Sequence, residues 1–338
     1  MNKKYRLFSY GLSAAVLGYV GWHLRLDTLG QKLAGLNWPL LLVAVGLGAL
    51  SVCLQALRWR YLLRRPTPVR YGTVLQATYL GTLVNEILPF RTGEVVRGLL
   101  VSHRTGRGFA AVLSTEVVER LSDALAMGAL IWLAVRGLDL PSSLKVAQLL
   151  LVGGLTVLTL VAILMALRER VLCCRLEAWR PRRNLWARMR RVTLDLMVGL
   201  RLLRDWKSMA VSLSVALGMA GLQVATFWLA LRAYHLDMTL LQAAAVLAVI
   251  SIGTLLPNAP GNLGSWHFFC MLGLGLFGID SATAAGFSVV TFGVLSAALI
   301  CGGLIALVTS PFRLSQLHGL RRPAQPVLAL EAAPEAEV

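Results

Sequence analysis

Charged side chains lie in two neighbouring segments that are otherwise apolar, and their types and spacing are suited to ion pairing or anion binding. Arg91 precedes a glycine at which a helix can begin, and a guanidinium group beside a helix N-terminus suits an anion such as phosphate. Glu94 and Arg97 lie one helical turn apart and can therefore pair. The candidate residues of this segment are Glu86, Pro89, Arg91, Gly93, Glu94 and Arg97.

A second charged group follows in the next apolar segment. Its members are Glu116, Glu119, Arg120 and Asp123, whose spacings of three and four residues place them on one helix face. Because three acids then accompany one cation, we expect a second positive partner, and Arg91 or Arg97 is nearest in sequence. Two interpretations stay open: a structural ion-pair network that locks two helices together, or the polar lining of a transport pathway.

A third candidate region near residue 260 carries no charge. Its glycines leave backbone amides free to bind a ligand, and its polar side chains are neutral or nearly so. His267 is interpreted either as a buried structural imidazole or as a ligand-binding group. The candidate residues here are Asn258, Pro260, Gly261, Asn262, Gly264 and His267.

Motifs of several enzyme classes are missing from the sequence. There is no Gly-x-x-x-x-Gly-Lys-Ser/Thr loop for ATP, and the five histidines form no HExxH zinc motif. The five cysteines show no CxxC spacing, so neither a disulfide framework nor a zinc site is expected. We therefore predict a protein that is not an enzyme, with no catalytic residues, no cofactor and no metal.

The composition is that of a membrane protein. Of 338 residues, 57% are hydrophobic and 14% are charged, whereas an ordinary soluble domain has about 25% charged residues. Long segments such as 33–57, 146–167 and 208–231 contain no Lys, Arg, Asp or Glu, and about 20 apolar residues suffice to span a bilayer. The net charge of +17 lies mostly between these segments, which indicates cytoplasmic loops rather than nucleic-acid binding.

The positions of the basic residues predict the topology. We expect both termini to be cytoplasmic, the apolar run 7–24 to be an uncleaved first helix, and residues 71–100 and 238–279 to enter and leave the membrane from one side. The predicted fold is thus all-α, with six spans and two re-entrant broken hairpins; eight spans is the alternative. The predicted domains are a membrane domain 1–312, with half one 33–135, half two 208–312 and a basic cytoplasmic loop 168–207, and a disordered tail 313–338.

The two broken hairpins have the same arrangement in opposite orientations. Each break has a proline four residues before a glycine, namely Pro89 to Gly93 and Pro260 to Gly264. Interrupted hydrophobic segments at corresponding positions of two inverted halves indicate a transporter binding site near the membrane midplane. Such irregular backbone is stable there only when buried in protein or lining a wet cavity.

These motifs resemble the flippase-like family related to the transmembrane region of lysylphosphatidylglycerol synthases. The resemblance covers about residues 36–312 and lies in the segments 88–94, 119–123, 260–264 and 277–279, together with Arg97. It implies movement of a lipid between leaflets, in some members linked to hopanoid or glycolipid pathways, with the first motif near the headgroup. It does not imply lysyl transfer, since only 26 residues follow Phe312.

The sequence departs from the family pattern in two places. His267 occupies a position where the family usually has Glu, and segment 281–312 lacks the Arg that the family often has there. Both members of an ion pair are thus replaced together, so the substrates of better-known members do not transfer directly to this chain.

Three hypotheses about function remain. The first is a lipid transporter of the plasma membrane, expected to be the bacterial inner membrane, with membrane lipids as its partners. The second is an enzyme or enzyme subunit of lipid synthesis, whose acid–base pair would be Glu86 or Glu94 with His267. The third is a scaffold for a lipid-synthesis complex. Loop 168–207 would bind anionic lipid or a partner protein, a homo-oligomer is a further expectation, and no nucleic-acid partner is expected.

Overall fold

A computed structural model of the chain describes residues 18–23, 33–64, 68–88, 92–136, 205–254 and 260–310, with residues 153, 154, 164 and 168. Within these ranges the protein is all-helical, as predicted. The helices are α1 (Trp38–Leu62), α2 (Tyr71–Ile87), α3 (Gly93–Thr105), α4 (Phe109–Arg136), α5 (Trp206–Ala233), α6 (Leu240–Gly253), α7 (Ser265–Gly275) and α8 (Ser281–Val308), with one 3-10 turn at Pro260–Asn262. The expected spans in 7–24 and 146–167, loop 168–207 and tail 313–338 lie wholly or largely outside the described residues.

Three described helices are long and apolar enough to cross a membrane. These are α1, α5 and α8, with 25, 28 and 28 residues, or roughly 38–42 Å at 1.5 Å per residue. Many of their large apolar side chains face outward, including Leu42, Leu57 and Ile305. An outer surface of this kind is stable against lipid tails and unfavourable in water, so the protein is a multi-pass membrane protein.

Helices α1 and α5 form an antiparallel pair. At one end the backbone N–H of Asn37 donates to the carbonyl oxygen of Ala233 at 3.0 Å. At the other end the Arg64 guanidinium group lies 3.2 Å from the Asp205 carboxylate. Asn37 and Asp205 also cap α1 and α5, because each side chain accepts from a backbone amide of the first helical turn.

The first interrupted segment forms a tight helical hairpin of α2 and α3. A Cβ atom on Gly93 would lie only 1.8 Å from the carbonyl oxygen of Gly81, so the two backbones meet without an intervening side chain. The Gly93 amide donates to Asn85 Oδ1 at 2.8 Å, which satisfies one orphan donor of the α3 N-terminus. Helix α3 continues to Thr105, beyond the predicted boundary at residue 100, and ends at Gly106 in the left-handed conformation.

The second interrupted segment forms a hairpin of α6 and α7 that is also packed through glycines. A Cβ on Gly253 would lie 2.0 Å from the Phe269 ring, and one on Gly273 would lie 2.9 Å from the Val246 side chain. The 3-10 turn precedes α7, and Gly261 within it has φ +62°. Both hairpins therefore depend on close approach between helices at glycine.

The first hairpin opens toward the end of the bundle where α1 ends and α5 begins, here called the basic end. Arg107, which follows α3, donates to the carbonyl oxygen of Leu63 at 2.7 Å. Near the same end, Arg104 donates to Ser310 Oγ at 3.0 Å, and Gln76 of α2 donates to the carbonyl oxygen of Ala306 at 2.9 Å. The start of α2, the end of α3 and the end of α8 therefore lie together.

The second hairpin opens toward the opposite end. Trp228, near the end of α5, donates from its indole nitrogen to the carbonyl oxygen of Met238 at 2.9 Å. Met238 lies just before α6. Because α8 ends at the basic end, its N-cap Asp280, which follows α7, lies at the other one.

The tips of the two hairpins are in contact. A Cβ on Gly261 would lie 2.9 Å from Glu86 Oε2 and 3.1 Å from the Glu86 carbonyl oxygen. The last turn of α2 and the 3-10 turn are thus in direct contact. Helix α8 packs alongside α2 at Gly302 and Gly303, where added Cβ atoms would overlap Tyr79 and Leu83. The end of α2 and the 3-10 turn before α7 consequently lie together, and this contact is here called the hairpin junction.

Candidate functional site

A cluster of buried ion pairs joins three helices beside the first hairpin. Its guanidinium groups come from α1, α3 and α4, and its carboxylates come from α3 and α4. We call it the charge cluster; its members are Arg58, Glu94, Arg97, Glu116, Glu119, Arg120 and Asp123.

Glu119 is the centre of the charge cluster. Its side chain is fully buried, and its two oxygens are held by two different helices. Arg97 Nη2 donates to Oε2 at 2.7 Å, and Arg58 Nε donates to Oε1 at 3.3 Å. Charge-assisted hydrogen bonds of this kind are what make a buried carboxylate tolerable in an apolar bundle.

The outer part of the charge cluster is more exposed. Arg58 Nη1 donates to Asp123 Oδ1 at 2.6 Å, and Arg120 Nη2 lies 2.7 Å from Glu94 Oε1. Arg120 also approaches Asp123 at 3.7 Å. Because 41% of the Arg120 side chain is exposed, against none of Glu119, the cluster runs from a sealed interior to an accessible edge.

The placement of the α4 acids follows from helical geometry. Residues 116, 119, 120 and 123 lie on one face of α4. Arg97, one of the two arginines expected to pair with that face, contacts Glu116 and Glu119. The expected pairing of Glu94 with Arg97 differs from the structure, in which Glu94 makes its ion pair with Arg120. The α3 backbone turns Arg97 toward α4, whereas Glu94 lies near the more exposed edge.

Sequence reasoning missed Arg58 as a member of the site. The segment without charged residues ends at Leu57, and the charges that follow such segments were predicted to lie in cytoplasmic loops, but α1 continues to Leu62 and Arg58 is only 1% exposed. The first charged residue after an apolar segment is therefore a poor indicator of where the helix ends. The better signal was the next proline, Pro66, since nothing between Leu57 and that proline breaks a helix.

Aromatic packing fixes the position of Arg97. Its guanidinium carbon lies 4.6 Å from the centroid of the Trp59 ring, a distance at which cation–π attraction operates. Trp59 is itself held, because its indole nitrogen donates to Thr115 Oγ1 at 2.9 Å. The residue beside Arg58 on α1 thus orients the arginine of α3.

A small polar cavity lies between the first hairpin and α4. Its volume is about 20 Å³, which is room for about one water molecule. Its walls combine the hairpin crossing with the edge of the charge cluster. The lining residues are Gln55, Thr78, Gly81, Thr82, Asn85, Gly93, Glu94, Arg97 and Arg120.

The second hairpin contributes a different environment. His267 is 4% exposed and its ring centroid lies 4.7 Å from that of Phe292, with Trp266 alongside. Its Nδ1 has no hydrogen-bond partner among the described residues. No ion pair or hydrogen bond in the described part of the chain joins His267 to Glu86 or Glu94, so the acid–base pair of the enzyme hypothesis is not assembled there.

The remaining predicted residues of the second break lie near the hairpin junction. Pro260, Gly261 and Asn262 form the 3-10 turn, and Gly264, with φ +90°, is the N-cap of α7. Pro89, Arg91 and Asn258 lie outside the described residues. Among the residues that are described, no group of three His, Cys, Asp or Glu side chains is arranged to hold a metal ion.

Comparison with known proteins identifies one family. The family model described as "Lysylphosphatidylglycerol synthase TM region" matches residues 6–310. No curated protein and no solved structure matches the chain significantly. The resemblance inferred from the motifs is thereby confirmed over nearly the same range.

Proposed function

The chain belongs to the family of the lysylphosphatidylglycerol synthase transmembrane region, and from that membership we propose that it moves a lipid between the two leaflets of a membrane. The observation that carries the proposal is the hairpin junction. Two glycine-packed hairpins meet there beside a polar cavity and a charge cluster, within a bundle whose outer surface is apolar. Polar groups within a membrane domain are costly and usually serve a substrate pathway.

We further propose that the two hairpins are re-entrant and that six helices span the membrane. The four hairpin helices, α2, α3, α6 and α7, have 17, 13, 14 and 11 residues, or lengths of roughly 26, 20, 21 and 17 Å. Each is shorter than the ~30 Å hydrocarbon layer. Re-entrant hairpins are favoured over the eight-span alternative, in which each interrupted segment would be one long kinked helix, because α3 folds back against α2 at Gly81 and α7 folds back against α6 at Val246.

In this proposal the headgroup passes beside the first hairpin while the acyl chains stay in lipid. The cavity as it stands holds about one water molecule, so passage of a headgroup requires the hairpins and α4 to separate. The partly exposed edge at Glu94 and Arg120 is where we place the first headgroup contact. We propose that the protein lies in the plasma membrane with both termini cytoplasmic, and that anionic lipid binds loop 168–207. Its role in this proposal is transport rather than chemical modification of lipid.

The test is a leaflet-sidedness assay in proteoliposomes that contain fluorescent lipids of several headgroup classes. A membrane-impermeant reductant bleaches outer-leaflet lipid, so inward or outward movement is read directly. We expect the wild type to move at least one class, and Glu94→Gln or Arg120→Gln to reduce the rate at least about tenfold if each removes one charge-assisted contact of ~1.5–3 kcal/mol.

The matched control is Arg232→Gln, which breaks an exposed ion pair with Asp237 at the opposite end of the bundle. Exposed pairs contribute little, so this variant should transport like the wild type. Wild-type protein that moves no headgroup class would refute the proposal. Conversion of the lipids to new products would instead support the enzyme hypothesis.

A further inference from the structure

The charge cluster contains more acid than base. Among the described residues it brings three guanidinium groups to four carboxylates. If all seven were ionised, one negative charge would remain without a partner in a largely buried site. Such a charge is strongly unfavourable even after the surroundings relax. One carboxylate therefore has reason to be neutral.

Glu116 is the carboxylate with the weakest support. It is only 2% exposed, and its one ion-pair approach joins Oε1 to Arg97 Nε at 3.3 Å. Neither oxygen accepts a hydrogen bond from a described residue. By contrast, Glu94, Glu119 and Asp123 each have an arginine nitrogen within 2.7 Å.

The surroundings of Glu116 leave little room for a cation larger than a proton. A Cβ on Gly98 would lie 3.2 Å from Glu116 Oε1, and the Phe109 ring lies 3.3 Å from the same Cβ position. Glu116 is also absent from the lining of the polar cavity, whereas Arg97 is part of that lining. A metal ion or a lipid ammonium group needs several ligands or more space, whereas a proton needs neither.

We propose that Glu116 is a proton-binding site and that its carboxyl group carries a proton in the resting protein. Resting on the proposed transport function, we add that exchange of this proton couples lipid movement to a pH difference across the membrane. The proton binds one carboxylate oxygen, which converts the carboxylate to a neutral carboxylic acid, and it is released to water when that group ionises.

The groups that face Glu116 explain why its charge state matters. Helix α3 contributes Arg97 and Glu94, and its own helix contributes Glu119 and Arg120. Helix α1 supplies Arg58, which binds Glu119. Helices α5 and α6 also pack on α4; the charged residues of α5 are Lys207 and Arg232 near its two ends, and α6 has none.

Arg97 connects the proton site with the polar cavity. It holds Glu119 through Nη2 and approaches Glu116 through Nε, and it also lines the cavity. When Glu116 is neutral, Arg97 is held chiefly by Glu119. When Glu116 ionises, the guanidinium group is shared between two carboxylates, and its position at the cavity wall changes.

Infrared spectroscopy of the reconstituted full chain tests the proton site without requiring transport. We expect the wild type at neutral pH to show a carboxylic acid C=O band that Glu116→Gln removes. The control Glu94→Gln should remove only carboxylate bands, because Glu94 is paired with Arg120. In the wild type the acid band should decrease as the pH is raised, a measurement that needs no variant to fold.

The result that overturns the proposal is a Glu116→Gln difference spectrum that loses carboxylate bands and no acid band. That result would mean that a cation outside the described residues, Arg91 being the candidate, neutralises the charge cluster. A wild-type spectrum with no carboxylic acid band at neutral pH would also refute the proton site, and that measurement needs no variant.

A second measurement separates the coupling from the transport itself. Lipid movement is followed in proteoliposomes with and without an imposed pH gradient; the wild-type rate should respond to the gradient, and the Glu116→Gln rate should not. A wild-type rate indifferent to the gradient overturns the coupling. If no lipid moves at all, the proposed function fails, while the infrared result still decides whether Glu116 binds a proton.

Discussion

The two broken hairpins have similar architecture and very different chemistry. Both consist of two short helices packed through glycine, and they open toward opposite ends of the bundle. The first carries Glu94 and Arg97 into a charge cluster shared with α1 and α4, whereas α6 and α7 contain no charged residue. The shared architecture brings the two hairpin tips into contact, and the described charges distinguish the first hairpin from the second.

The largest expected effect concerns the opposite orientation of the hairpins. In a background without native cysteines, His103→Cys near the end of α3 and Ser281→Cys at the start of α8 should react with an impermeant thiol reagent from opposite sides of the membrane. Both residues are exposed in the structure. Labelling from the same side would refute the inverted arrangement, and double labelling after solubilisation confirms that both thiols are reactive.

The next effect concerns the charges. Glu119→Gln leaves Arg97 and Arg58 without their shared carboxylate in a fully buried place, and removing one partner of a buried pair costs about 3–5 kcal/mol. The comparison variant in the second hairpin, His267→Gln, disturbs no ion pair among the described residues. Thermal unfolding in detergent should therefore show a much larger loss for Glu119→Gln. Equal losses of thermal stability would mean that the ion pairs of Glu119 contribute little more to stability than the uncharged packing of His267.

The smallest of the three effects concerns glycine packing. Gly93→Ala sets a methyl group against the Gly81 backbone, whereas Gly273→Ala meets the Val246 side chain, which can adjust. Overpacking costs about 1–3 kcal/mol, and we expect the first variant near the top of that range and the second near the bottom. Gly72→Ala, with nothing within 4 Å of the added Cβ, is the matched control for thermal unfolding, and a reversed order would contradict the described crossing.

The features that followed from local spacing were predictable from sequence. The shared face of Glu116, Glu119, Arg120 and Asp123 is a property of one helix, and the interruption before Gly93 follows from its proline and glycine. The positive-inside rule predicted opposite orientations for the two hairpins, and in the described bundle they open toward opposite ends. The side of the membrane that each hairpin faces stays a prediction.

The features that depend on contacts between helices were not predictable. Arg58 joins Glu119 from 61 residues away, and no periodicity within α1 indicates which helix it will face. The expected pairing of Glu94 with Arg97 was wrong for the same reason, since Arg120, which Glu94 contacts instead, lies on another helix. The contact of Glu86 with Gly261 likewise requires two hairpins to be placed before it can be seen.

That contact has a mechanical consequence. The Gly261 backbone lies against Glu86, where an added methyl group would crowd both the Glu86 side chain and its carbonyl oxygen, so the two tips share a single boundary. A displacement of the 3-10 turn toward α2 would press directly on Glu86. We therefore expect the two hairpins to move together, although no covalent segment directly connects their tips.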